Sequence, residues 1–180
     1  MVSIFSIKLC TILVIAFFYI GVGIAHFIVP EKFTIIIPNA FVDYVQGCCI
    51  SHSNFSIINL TIPIEISIII KLGLVYISGF FEILFGVLLL IKRYRFYAGI
   101  GLILLLIAVF PANIFLYLNE SARNSYGEIT QQQALIRMFF QIPLIVIAYW
   151  HSMKLEPKWF SYFCIIISIP TILYFFWILF

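Results

Sequence analysis

The chain has 180 residues, of which 64% are hydrophobic and only 9% charged, and its formal net charge is +3. A soluble domain carries about 25% charged residues, so this composition and a mean hydropathy of +1.19 exclude an ordinary soluble fold. They also leave no room for a second folded domain. The basic residues gather at the ends of apolar runs, which gives nucleic-acid binding no support.

The first apolar run covers about residues 7–29 and closes at Pro30, with Glu31 and Lys32 behind it. It is longer than the apolar stretch of about 7–15 residues in a signal peptide, so a retained membrane span is expected. An outer loop at 30–66 follows. It is rich in apolar residues, and Phe41 and Tyr44 suit a position along the membrane interface. The loop also holds the adjacent pair Cys48 and Cys49, candidate redox thiols, and His52. A disulfide between chain neighbours would be strained, and the role of this pair stays open. Cys10 and Cys164 lie in apolar runs and read as core filler. The four cysteines form no CxxC and no zinc-ligand spacing.

The second span, about 67–91, carries Glu82 near its middle and ends in Lys92, Arg93, Tyr94 and Arg95. Ser78, Gly79, Glu82 and Gly86 group along one side of a helix. Small residues there admit a second backbone, so Gly79 and Gly86 are helix-packing positions and Glu82 should face protein. The third span, about 98–118, contains Pro111 and Asn113. A polar loop at 119–133 with Glu120, Arg123 and Glu128 precedes the fourth span, about 134–150, which holds Arg137 and Gln141. A short basic loop leads to a fifth, aromatic-rich run at 159–180, interrupted by Pro170. The fold expected is all-α: one integral membrane helical bundle, with a four-helix core and a fifth C-terminal transmembrane helix.

Lys8, Lys92, Arg93, Arg95, Lys154 and Lys158 fall on one side of these spans, and Lys32, Lys71 and Arg123 on the other. The lysine and arginine bias makes the first side cytoplasmic. The N-terminus is then inside, and the C-terminus outside if all five runs cross. At about 1.5 Å of rise per residue, Asn113 and Arg137 share a depth roughly 7 Å towards the outside. Gln141 lies one turn deeper, Glu82 near the midplane, and His26 nearest the outer surface.

An ionised carboxylate at such depth requires a partner or a proton. A long arginine side chain can descend part of the way, so a Glu82–Arg137 pair supported by Asn113 and Gln141 is expected. Two readings of this cluster stand side by side. One is interhelical glue; the other is a pocket for a polar ligand, a quinone or a proton. His26 alone reads as an interfacial histidine, and His52 and His151 as solvated loop residues. Asn113 also suits a carbonyl freed by Pro111. No catalytic triad, phosphate loop, haem motif or metal-ligand set is present in the sequence.

Several stretches together resemble the DoxX-like family of small membrane proteins. They are Gly21-Val-Gly-Ile-Ala-His-Phe-Ile-Val-Pro-Glu-Lys-Phe33, Val75-Tyr-Ile-Ser-Gly-Phe-Phe-Glu82 with Gly86, Ala108-Val-Phe-Pro-Ala-Asn-Ile114, and Arg137-Met-Phe-Phe-Gln141. The resemblance covers about residues 17–150 and implies a four-helix membrane bundle. It also implies a polar site at His26, Glu82, Asn113, Arg137 and Gln141, and a redox-associated role in the bacterial cytoplasmic membrane. Members of that family accompany thiosulfate:quinone oxidation and envelope disulfide formation, and many have no assigned activity. The segment 38–63 and the fifth span depart from the family's usual plan. The expected function is an auxiliary, redox-associated membrane subunit, quinone-linked and not a stand-alone enzyme, with a redox enzyme or a second copy of itself as partner. The alternatives are a small transporter or channel built on Glu82 and Arg137, and a structural or assembly protein.

Overall fold

The computed structural model describes residues 4–42 and 64–179. Cys48, Cys49 and His52 lie outside the described residues. Five long helices cross the bundle: α1 (Ile4–Ile28), α3 (Ile64–Leu90), α4 (Arg95–Leu118), α6 (Gln131–Ser152) and α7 (Lys158–Leu179). Two short ones, α2 (Pro30–Ile35) and α5 (Glu120–Gly127), lie between them. All five long helices are long and apolar enough to span a bilayer, and the chain is an integral membrane protein. Phe17, Ile24, Ile69, Leu104 and Ile107 present large apolar side chains on the outside of the bundle, where lipid solvates them as well as protein would.

The long helices close into a ring in the order α1, α3, α4, α6, α7 and back to α1. Glycine sets two of these contacts. A β-carbon at Gly79 of α3 would stand 2.6 Å from His26 Cβ and 3.0 Å from the Gly23 carbonyl oxygen of α1. One at Gly99 of α4 would stand 2.7 Å from the Ala148 carbonyl oxygen and from Ser152 Cβ of α6. Gly86 faces Ile20 and the Ala16 carbonyl in the same α1–α3 seam. On α3 the buried positions Val75, Gly79, Glu82, Gly86 and Leu89 repeat every three or four residues, which makes a single stripe. Ile12, Ile15, Ala16, Tyr19, Gly23 and His26 form the matching stripe on α1.

Between the helices, Ile12, Ile15, Ala16 and Tyr19 of α1 pack with Leu89 of α3, Leu102 and Leu106 of α4 and Ile147 of α6. Helix α7 seals the gap between α6 and α1. Phe175 meets Phe18 with ring centroids 5.0 Å apart, and Tyr174 stacks on Phe140 at 4.1 Å. Pro111, Pro143 and Pro170 all lie inside helices. Neighbouring helices re-satisfy the groups such prolines free in a membrane, so Pro170 does not end the fifth helix.

The connections hold more helix than their composition suggests. Pro30 sits in the first turn of α2, where its fixed φ suits a helix start and its missing N–H goes unneeded. The polar stretch after α4 is not a loop throughout. Asn119 caps α5 by accepting from the Ala122 N–H at 3.0 Å, and Glu128 ends it in the left-handed region at φ 56°. Thr130 and Gln133 then form a reciprocal capping box that starts α6. Helices α2 and α5 pack on each other and cover one end of the bundle. Beneath them lies a small second core of Ile36, Leu116, Ala122 and Ala134.

Candidate functional site

Under the cap of α2 and α5, the interior of the bundle is polar. His26 reaches this layer from the last turns of α1. Its Nδ1–H donates to the Val22 carbonyl at 2.8 Å, since a carbonyl only accepts. The same nitrogen lies 3.3 Å from Glu82 Oε2. Phe33 of α2 stacks on the imidazole with ring centroids 3.7 Å apart and planes 19° from parallel. The histidine is therefore held by its own helix, roofed by α2 and faced by an acid. It is buried, near the end of α1.

Glu82 is buried, and its Oε2 has no hydrogen-bond partner among the described residues. The expected Glu82–Arg137 pair does not form. Arg137 donates from Nη1 to the Tyr126 hydroxyl at 2.6 Å, and its guanidinium lies 5.1 Å from the centre of that ring. The reason is the unforeseen helix α5, which brings an aromatic hydroxyl directly above the arginine. A neutral partner near the outer end removes less solvation than descent to the midplane would.

Asn113 and Gln141 are both buried. Gln141 Nε2 donates to the Leu106 carbonyl of α4 at 3.4 Å, while its Oε1 has no partner. Tyr19, which sequence reasoning missed, is 4% exposed, and its hydroxyl is likewise without a partner among the described residues. The signal was present: Tyr19, Gly23 and His26 follow the i, i+4, i+7 pattern of one helix face. Buried polar groups without partners are uncommon in native proteins. Glu82, Gln141 and Tyr19 each leave such hydrogen-bonding capacity unused.

A second polar cluster lies at the opposite end. Lys8 of α1 donates to Glu156 at 2.7 Å and to the Met153 carbonyl at 3.0 Å. Trp150 Nε1 donates to the same carboxylate at 3.2 Å. His151 is not a solvated loop residue: it is 1% exposed, inside the last turn of α6, with Nε2 3.1 Å from Thr11 Oγ1. Cys164 is buried, whereas Cys10 is exposed on the outside of α1 and fills no core. No metal-ligand group of three occurs among the described residues.

These features define a polytopic helical membrane protein with an enclosed acid–imidazole pair in its interior. A family model described as a domain of unknown function, DUF8561, matches residues 15–152, and the chain belongs to that family. The match takes in His26, Glu82, Asn113, Arg137 and Gln141 and stops at the end of α6, so that α7 falls outside it. No curated protein and no solved structure matches the chain.

Proposed function

We propose that this protein is an auxiliary membrane subunit of a redox system, of the DoxX-like kind, in which His26 and Glu82 hold one exchangeable proton beside quinone chemistry. The observation that carries this reading is the 3.3 Å approach of His26 Nδ1 to Glu82 Oε2 inside the bundle. With Nδ1–H committed to the Val22 carbonyl, one further proton has two places to reside, Glu82 or His26 Nε2. Either arrangement leaves the pair neutral overall. Removing that proton leaves a lone buried anion, which apolar surroundings penalise heavily. The Tyr19 hydroxyl and Gln141 Oε1 are buried atoms without a partner among the described residues. The Tyr19 hydroxyl can donate to a quinone carbonyl oxygen, and Gln141 Oε1 can accept from a hydroxyl of the reduced quinol.

The redox setting rests on the DoxX-like resemblance of the segments bearing His26, Glu82, Asn113 and Arg137. Electrons would come from a partner enzyme, since this chain offers no cofactor-ligand motif in its sequence. The end bearing Lys8, Lys92, Arg93, Arg95, Lys154 and Lys158 faces the cytoplasm on the lysine and arginine bias. On that orientation His26 approaches from the outer side and Glu82 lies near the midplane. The test is purification with native partners, followed by quinone reduction in proteoliposomes. Glu82→Gln should slow quinone turnover while the complex stays assembled. Unchanged turnover in an intact complex, or isolation without any redox enzyme or quinone, would overturn the proposal.

A further inference from the structure

The structure assigns a second site, unrelated to the acid–imidazole pair: the cavity at the basic end, which we propose binds a phosphate ester carrying a hydroxyl, as in the glycerol headgroup of an anionic phospholipid. The cavity has a volume of about 620 Å³ and is lined from three separate parts of the chain. Lys8 comes from α1, Lys92 and Arg93 from the α3–α4 turn with Arg95 opening α4, and Lys154 from the α6–α7 connection with Lys158 opening α7. Its one acidic residue, Glu156, is already engaged by Lys8 at 2.7 Å and accepts from Trp150 as well. Among the described residues, no carboxylate pairs with Lys92, Arg93, Arg95, Lys154 or Lys158. The lining therefore carries uncompensated positive charge.

His151 supplies the independent observation. It is part of the cavity lining, is 1% exposed, and its Nδ1 has no partner. Its tautomer follows from its neighbour. The Thr11 hydroxyl donates its single proton to the Lys8 carbonyl at 2.9 Å, so its oxygen can only accept from His151 Nε2–H at 3.1 Å. In the neutral ring Nδ1 is then a bare acceptor. A buried acceptor among cations suits a ligand that presents negative oxygens to the lysines and arginines and a hydroxyl to the imidazole. Apolar Leu9, Ile12, Phe96 and Leu155 share the lining and would receive the first methylenes of an acyl chain. Charge serving orientation alone needs cations on one side of the membrane. It does not need three chain segments converging on a buried imidazole, and basic pockets between membrane helices are known hosts of anionic headgroups.

The experiment uses the full chain, delipidated and placed in nanodiscs of zwitterionic phosphatidylcholine, with phosphatidylglycerol or inorganic phosphate added. Binding is read by native mass spectrometry and by the imidazole nitrogen resonances of His151. We expect one phosphatidylglycerol per chain, a shift of the Nδ1 resonance, and affinity about a hundredfold weaker in K92Q/K154Q/K158Q. K32Q, at the other end, should leave binding unchanged. Saturable binding of inorganic phosphate without phosphatidylglycerol retention would support the site with a soluble phosphate ester as its ligand. Absence of both, or binding indifferent to the triple substitution, would overturn it. Wild-type discrimination between the two lipids decides the matter even if the triple variant does not fold.

Discussion

The closest test of the α1–α3 seam is a single methyl group added at Gly79. Its β-carbon would stand 2.6 Å from His26 Cβ, against an ordinary carbon–carbon contact of about 3.5–4.0 Å. The overlap is therefore about 1 Å. His26 cannot swing aside freely, because Val22 holds its Nδ1 and Phe33 covers its ring. The other near atom, the Gly23 carbonyl oxygen at 3.0 Å, is backbone, so relief requires the two helices to part. Overpacking of this kind costs about 1–3 kcal/mol. Gly73 on the same helix is the internal reference: an added β-carbon there has nothing within 4 Å. Both substitutions to alanine gain the same helix propensity, about 1 kcal/mol, so their difference isolates the packing term. Reversible unfolding in bicelles, followed by tryptophan fluorescence, should place Gly79→Ala about 1–3 kcal/mol below Gly73→Ala. Equal stability of the two would refute the seam as described, and with it the placement of His26 against Glu82.

Other expectations follow from single contacts. Tyr126→Phe keeps the ring under Arg137 but removes its hydroxyl acceptor, and thermal unfolding should show a loss of about 1–3 kcal/mol. Thr11→Val removes the acceptor for His151 Nε2; with both ring nitrogens then unpartnered, a similar loss of about 1–3 kcal/mol is expected in the same assay. For orientation, a cysteine at Leu155, which is 91% exposed, should react with a membrane-impermeant thiol reagent only from the cytoplasmic side. One at Asn124 should react only from the opposite side, as read by labelling of intact cells before and after lysis.

Much of the fold was legible because a bilayer reduces the problem to apolar length. Runs near 7–29, 67–91, 98–118, 134–150 and 159–180 correspond to the five long helices, whose ends differ from them by at most three residues. The glycines at 79 and 86 could be placed in a seam because small residues at helical spacing admit a second backbone. Local chemistry in the connections was harder to read. Asn119 and Thr130 are ordinary N-caps, yet the polar composition of 119–133 reads as a loop and hides helix α5. That reading misdirects Arg137, whose actual partner, Tyr126, sits on α5. His151 reads as solvated because it follows an apolar run. Helix α6 continues to Ser152 and carries it against Thr11, a contact 140 positions away in the chain. Long-range partners of this kind leave no local pattern, whereas Tyr19 did leave one, on the same face as Gly23 and His26.

The central claim is that His26 and Glu82 share one exchangeable proton within the bundle. It is tested most directly by infrared difference spectroscopy of the purified protein stepped between acidic and alkaline buffer. A protonated-carboxyl band should appear and disappear with pH. That band should be absent in Glu82→Gln and should titrate at a different pH in His26→Gln. A spectrum with no titrating carboxyl band, or one whose band survives unchanged in Glu82→Gln, would contradict it.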